Sequence, residues 1–145
     1  MKKTGSILTE GPSIKGLFKT CKTIAVLGLS ANPQRDSHRV AQYLKRQGYR
    51  IVPVHPLEKE ILGEKVFKSL DEIDEPLDMI DVFRKSEAVF QHARQAIRLK
   101  PKVFWMQLGI VNQDAADILM EAGIDVVMNK CTKVEHARLC SKDTT

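Results

Sequence analysis

Cysteine is scarce in this chain, and Cys21, Cys131 and Cys140 are odd in number and form no C-x-x-C pair. That pattern argues against a disulfide framework and against a zinc knuckle, and makes a reducing, cytoplasmic setting the expectation. No apolar run approaches the roughly 20 residues needed to span a bilayer. Met1-Lys2-Lys3 leads into a mixed polar stretch with no signal-peptide core. Aromatic residues are only 6% and do not interleave with basic ones, so a stacking platform for single-stranded nucleic acid has no support. A Lys/Arg block is also missing: the net charge of +5 is spread along the chain, which suits a phosphate-bearing small molecule better than nucleic acid. The four histidines show no metal-ligand spacing.

What is present is the material of one compact domain. A chain of 145 residues, 43% hydrophobic and 28% charged, has enough apolar content to bury a core and leaves no room for a second full domain. Residues 1–21 read as an N-terminal appendage, with Ile14, Leu17 and Phe18 able to form a short amphipathic helix packed on the domain. Residues 22–140 read as the domain itself and 141–145 as a flexible tail.

Within the domain, five short apolar runs alternate with helical patterns. The runs are 23–28, 49–54, 78–83, 102–107 and 125–128. Asp36 or Ser37 is positioned to cap a helix to about Gln47, and Ser86 a helix to about Leu99. Asn112 does the same for a helix to Ala122, Ser69 opens an S-x-x-E pattern, and residues 133–139 suit a last short helix. Pro53 lacks an N–H for the ladder, which places the second strand at an edge. The alternation predicts an α/β, Rossmann-like open parallel five-stranded sheet with helices on both faces. Ligands in such sheets bind beyond the C-terminal strand ends.

Those ends carry Gly28-Leu29-Ser30, Val54-His55-Pro56, Phe83-Arg84, Gln107-Leu108-Gly109 and Asn129-Lys130-Cys131. Ser30, Arg35 and Ser37 offer donors beside a helix N-terminus, which presents free N–H groups and partial positive charge to a diphosphate. A nicotinamide dinucleotide fits poorly. The loop G-L-S-A-N-P lacks the second and third glycines of the dinucleotide fingerprint, and His55-Pro56 stands where a ribose-binding acid is expected.

The succession G-L-S-A-N-P-Q-R-D-S, P-V-H-P, D-M-I-D-V-F-R, W-M-Q-L-G and M-N-K-C-T-K-V-E-H, from Gly28 to His136, resembles the stand-alone CoA-binding domain proteins. These are similar in turn to the N-terminal domain of the succinyl-CoA synthetase α subunit. The likeness runs from about Lys22 to Leu139. It implies a coenzyme A cleft in which Gly28, Ser30, Pro33, Arg35 and Ser37 hold the phosphates, while Val54 and Pro56 flank the adenosine. It further implies that Phe83, Arg84, Gln107 and Gly109 line the way to the pantetheine, with Asn129, Lys130 and Cys131 near the thiol arm. The pattern departs at His55, where relatives carry Asn or Ser, and after Pro56, where Lys59 stands in for an earlier basic residue. The synthetase relatives need a phosphohistidine domain and an ATP-grasp partner, so the resemblance implies binding of CoA or acyl-CoA without ligase catalysis.

Blander roles stand beside these. Trp105 lies within a strand and reads as core, and Cys131 as a small buried hydrophobe unless Lys130 and Lys133 stabilise its thiolate. His55 has no partner carboxylate in its motif and receives no catalytic role. His92 reads as part of a polar helix face, and His136 as an ion-pair partner of Glu135. Two other functions remain open: a nicotinamide-dependent or cysteine-using enzyme, and a docking partner of a separate acyl-CoA synthetase. Neither a protein partner nor a homodimer is legible; no nucleic acid and no membrane are expected.

Overall fold

The computed structural model describes residues 4–140, so the expected tail at 141–145 and the first three residues of the expected appendage lie outside it. Strands β1 (Thr23–Leu27), β2 (Arg50–Val54), β5 (Met79–Val82), β6 (Val103–Met106) and β7 (Asp125–Val127) form a parallel sheet in the order β2-β1-β5-β6-β7. The intervening β3 (Glu60–Ile61) and β4 (Glu64–Lys65) make a separate antiparallel hairpin. Its turn residues Leu62 and Gly63 both have positive φ, at 56° and 76°, the geometry of a tight hairpin turn. Only Gly63 signalled it in the sequence, and this hairpin had no counterpart among the expected strands.

The sheet is buried on both faces, which is why its strands are continuous apolar runs rather than alternating ones. Ala25, Leu27, Val52, Ile80, Phe104 and Val126 face one core with helices α3 (Val89–Leu99) and α4 (Gln113–Glu121). Ile24, Val26, Ile51, Met79, Trp105 and Val127 face the other, with α1 (Gly11–Thr20), α2 (Asp36–Arg46) and α5 (Thr132–Leu139). Trp105 is wholly buried, as read from its strand position. Pro53 sits on the edge strand, where its missing N–H costs no ladder bond.

The expected appendage is built into this second core. Ile14, Leu17 and Phe18 of α1 are buried, and the segment before α1 runs parallel to β7, with Leu8 N donating to Val126 O at 2.8 Å and Val126 N to Ser6 O at 2.9 Å.

Two capping expectations need correction. Helix α2 begins after Arg35, and the Ser37 hydroxyl accepts from Ser30 N at 3.0 Å instead of capping. Ser86 opens a short 3-10 turn without capping it, its oxygen accepting from Val111 N at 3.1 Å. Ser69 stands at the N-cap of the single turn its pattern implies, a 3-10 turn, with no side-chain cap bond of its own, while Glu72 Oε1 accepts from Lys68 N at 3.2 Å. Asn112, by contrast, caps α4 through Ala115 N at 2.9 Å. His136 is not an ion-pair partner of Glu135. It is buried, bonded through Nδ1 to the Tyr43 hydroxyl at 2.9 Å and ringed by Phe18, Tyr43 and Tyr49, while Glu135 pairs with Arg138 at 2.7 Å. Helical geometry puts consecutive residues on different faces, and α5 turns His136 toward the sheet.

The chain proceeds from β1 outward to β2 and then returns past β1 to β5. The strand order therefore reverses between β1 and β5, and the loops leaving these two strands diverge over opposite faces of the sheet. That divergence opens a crevice at their C-terminal ends.

Candidate functional site

Three adjoining compartments at this edge are lined by residues from several strand ends, and a further space of about 330 Å3 opens beside the β5 end alone, between Phe83, Arg84, Lys85, Glu87 and Ala88. Gly28 borders both the first and the second, and Asp36 and Phe83 border both the second and the third. Gly28 has φ +83° at the end of β1, and a Cβ there would sit 2.5 Å from the Phe83 carbonyl oxygen and 3.0 Å from Arg84 Cδ. Only glycine tolerates both that backbone conformation and that approach of the β1 and β5 ends.

The first compartment, about 150 Å3, lies between Leu27, Val54 and Pro56 on one side and Arg84, His92 and Gln95 on the other, with Lys68 and Ser69 also lining it. His92 thus faces the crevice instead of a merely polar helix surface; its Nδ1 lies 3.1 Å from Gln95 Oε1. Burial holds its pKa below the ordinary histidine value, with nearby Arg84 acting in the same direction. Lys68, not Lys59, is the lysine at this compartment beside Pro56. Its place is set by Phe67, which bridges to Val54 and carries residue 68 back to the end of β2, a tertiary link with no local sequence signal.

The second compartment, about 570 Å3, is polar and open, lined by Ser30, Gln34, Arg35, Asp36, Ser37 and His55 together with Gly28 and Phe83. Its loop is held from within: Ser30 Oγ accepts from Asn32 N at 3.0 Å, and Asn32 Oδ1 from Gln34 N at 2.9 Å. Because the Ser30 and Ser37 oxygens act as acceptors in the fold, their hydroxyl protons are left for an incoming oxygen. His55 Nδ1 accepts from Leu57 N at 3.0 Å, which puts the ring proton of the neutral imidazole on Nε2. Arg35 is exposed at the start of α2, whose first amides have no acceptor within the helix. Asp36 is the one acid here, and Arg39 lies 3.5 Å from it. This is a donor-rich cradle suited to an anion.

The third compartment, about 330 Å3, lies between the β6 end and α5 and is lined by Val40, Phe83, Gln107, Leu108, Ile110, Cys131, Val134 and the rim charges Asp36, Arg39 and Lys133. Gln107 reaches it only in part. Its amide turns beneath the floor, where Nε2 donates to Asp81 Oδ1 and, at 2.7 Å, to Thr132 Oγ1, and Thr132 Oγ1 donates to Asp81 Oδ2 at 2.9 Å. Asp81 is fully buried, and desolvation outweighs these two bonds and raises its pKa to about 7.

Of the residues singled out from the sequence, Gly28, Val54, Pro56 and Arg84 meet in the first compartment. Gly28, Ser30, Arg35, Ser37 and Phe83 meet in the second, and Phe83, Gln107 and Cys131 in the third. Pro33, Gly109, Asn129 and Lys130 line none of the three. Asn129 adopts φ 61° and its Oδ1 receives Gly109 N at 2.7 Å, while the Lys130 carbonyl receives Trp105 Nε1 at 2.7 Å. These bonds tie the β6 and β7 loops together. Among the described residues, no three His, Cys, Asp or Glu side chains converge as a metal set, and no helix is long and apolar enough to cross a membrane.

Comparison with known proteins agrees with this architecture. A family described as the CoA binding domain matches residues 22–137. The uncharacterized protein YneT of Bacillus subtilis (strain 168) is 44% identical over 124 residues, covering 86% of this chain and 92% of its own. A solved structure from Thermus thermophilus, cell-free ID.343, superposes with a TM-score of 0.86 at 40% identity, over 90% of this chain and 99% of that one. A hypothetical protein from Pyrococcus horikoshii OT3 gives a TM-score of 0.87 at 34% identity, over 96% and 99%.

Proposed function

The chain belongs to the CoA-binding domain family, and from that premise we propose that it binds coenzyme A, free or acylated, along the C-terminal edge of its sheet and performs no ligase chemistry itself. The observation that carries this reading is the run of three connected compartments at the switch point, with a polar cradle in the middle and less polar spaces on either side. Coenzyme A has the matching order of parts: a nucleoside, a diphosphate and a long arm ending in a thiol.

In this reading the adenosine lies between Val54, Pro56 and Arg84, with Lys68 as a second cation at that end. The diphosphate is held by Ser30, Arg35 and Ser37, with the His55 Nε2–H as a further donor and Gly28 giving close backbone approach. The arm passes Phe83 toward Gln107 and Cys131. Pro33, Gly109, Asn129 and Lys130 act by shaping the loops and not by touching the ligand. The histidines of the cleft support a binding role: His55 Nδ1 is engaged by Leu57 N and His92 Nδ1 faces Gln95, so neither is oriented by a carboxylate as a general base usually is.

Isothermal titration of the reduced protein with CoA, NAD and ADP tests the proposal. CoA is expected to bind in the micromolar range, more tightly than NAD or ADP. Arg35→Ala is expected to weaken it by roughly 10- to 100-fold, the loss of a charge-assisted contact of about 1.5–3 kcal/mol. Absence of CoA binding refutes the assignment, and tighter binding of NAD transfers the cleft to a nicotinamide cofactor.

A further inference from the structure

We propose that the third compartment takes the end of the pantetheine arm together with a short aliphatic acyl group on its sulfur, so that the preferred ligand of the cleft is a short-chain acyl-CoA. This rests on the CoA reading above. The chamber is contiguous with the phosphate cradle through Phe83 and Asp36, so an arm leaving the cradle between these two residues enters it. Its apolar walls are Val40, Phe83, Ile110, Cys131, Leu108 and Val134, with Asp36, Arg39 and Lys133 at the rim.

Leu108 and Val134 are 69% and 56% exposed, among the few large apolar side chains the fold leaves in water, and they project from different elements at this one opening. Part of the polar lining is engaged within the protein. Gln107 is bonded to Asp81 and Thr132 beneath the floor, Arg39 Nη2 donates to Gln34 O at 2.7 Å, and Lys133 Nζ lies 5.7 Å from the Tyr43 ring centroid. The volume of about 330 Å3 far exceeds the ~10–15 Å3 that one water needs, and an aliphatic group would displace water from the apolar walls, which cannot hydrogen-bond it.

Each methylene buried is worth roughly a fourfold gain in affinity, so butyryl-CoA is expected to bind at least about tenfold more tightly than free CoA, even in a chamber with one open side. Titration of the wild-type protein with CoA and butyryl-CoA reads this directly. Val134→Asp, a change at an exposed helix position, is expected to erase the butyryl preference, so that the variant binds butyryl-CoA no more tightly than it binds free CoA; Leu108→Ser provides a second such variant should α5 be disturbed. Equal affinity of the wild type for CoA and butyryl-CoA overturns the chamber and leaves the CoA cleft standing. Failure of both CoA and butyryl-CoA to bind overturns the cleft reading and the chamber with it.

Discussion

Replacing Asp81 with asparagine is expected to flatten the pH dependence of stability. Asp81 is at the middle of the sheet in β5, with no exposure, and accepts hydrogen bonds from Gln107 and Thr132. Those bonds favour the carboxylate, but removal from water disfavours it more, and the pKa rises from 3.8 to about 7. In the unfolded chain the same carboxyl ionises near pH 3.9. Between about pH 4 and about pH 7, then, the folded protein keeps a proton that the unfolded chain has released, and stability falls as pH rises. At about 1.4 kcal/mol per pKa unit, a shift of about three units removes roughly 4 kcal/mol from this group across that window. Below about pH 4 both states are protonated and the penalty is absent; above about pH 7 both are ionised and it is complete. Asparagine keeps an acceptor for the network and has no proton to lose. Urea unfolding of the wild type and Asp81→Asn at several values between about pH 4.5 and about pH 7.5 is therefore expected to show the variant gaining on the wild type by up to about 1.4 kcal/mol per pH unit. Parallel stability curves for the two proteins would refute the argument, because they would mean that Asp81 is ionised in the fold throughout.

Gly28→Ala is expected to destabilise the domain by about 1–3 kcal/mol from backbone strain alone, and to weaken CoA binding as well, since the added methyl meets the Phe83 carbonyl at the junction of two compartments. A fall in melting temperature with no loss of CoA affinity would separate the glycine from the site. For His136, burial lowers the pKa below the ordinary 6.5. The unfolded chain therefore takes up a proton that the folded state refuses, and stability drops as pH falls below about 6.5. NMR titration is expected to place the His136 midpoint below those of exposed histidines, and a midpoint at or above theirs would contradict its enclosure by Phe18, Tyr43 and Tyr49.

The class of fold was legible because it depends on short-range chemistry. Continuous apolar runs at 23–28 and 102–107, glycines after strands, and Asn112 before a helix are local signals, and local backbone preferences answer to them. Pro53 even located its strand at the edge, because a missing N–H has the same consequence wherever the strand lies. Ser37 and Ser86 show the limit. Both are good capping residues, yet each found a better partner in space, Ser30 N and Val111 N respectively.

The sequence by itself determined the parallel α/β sheet and the residues at its C-terminal strand ends, since periodicity and turn chemistry need only neighbours along the chain. Tertiary structure decided which of those residues face the crevice. It brought Lys68 and His92 to the first compartment, turned the Gln107 amide down to Asp81 and Thr132, and engaged Asn129 and Lys130 in joining loops. It also made α1 part of the core and created the reversal between β1 and β5 that opens the cleft. These outcomes depend on which strands become neighbours, and that is settled by burying both faces of the sheet at once, a condition on the whole chain that no local window contains.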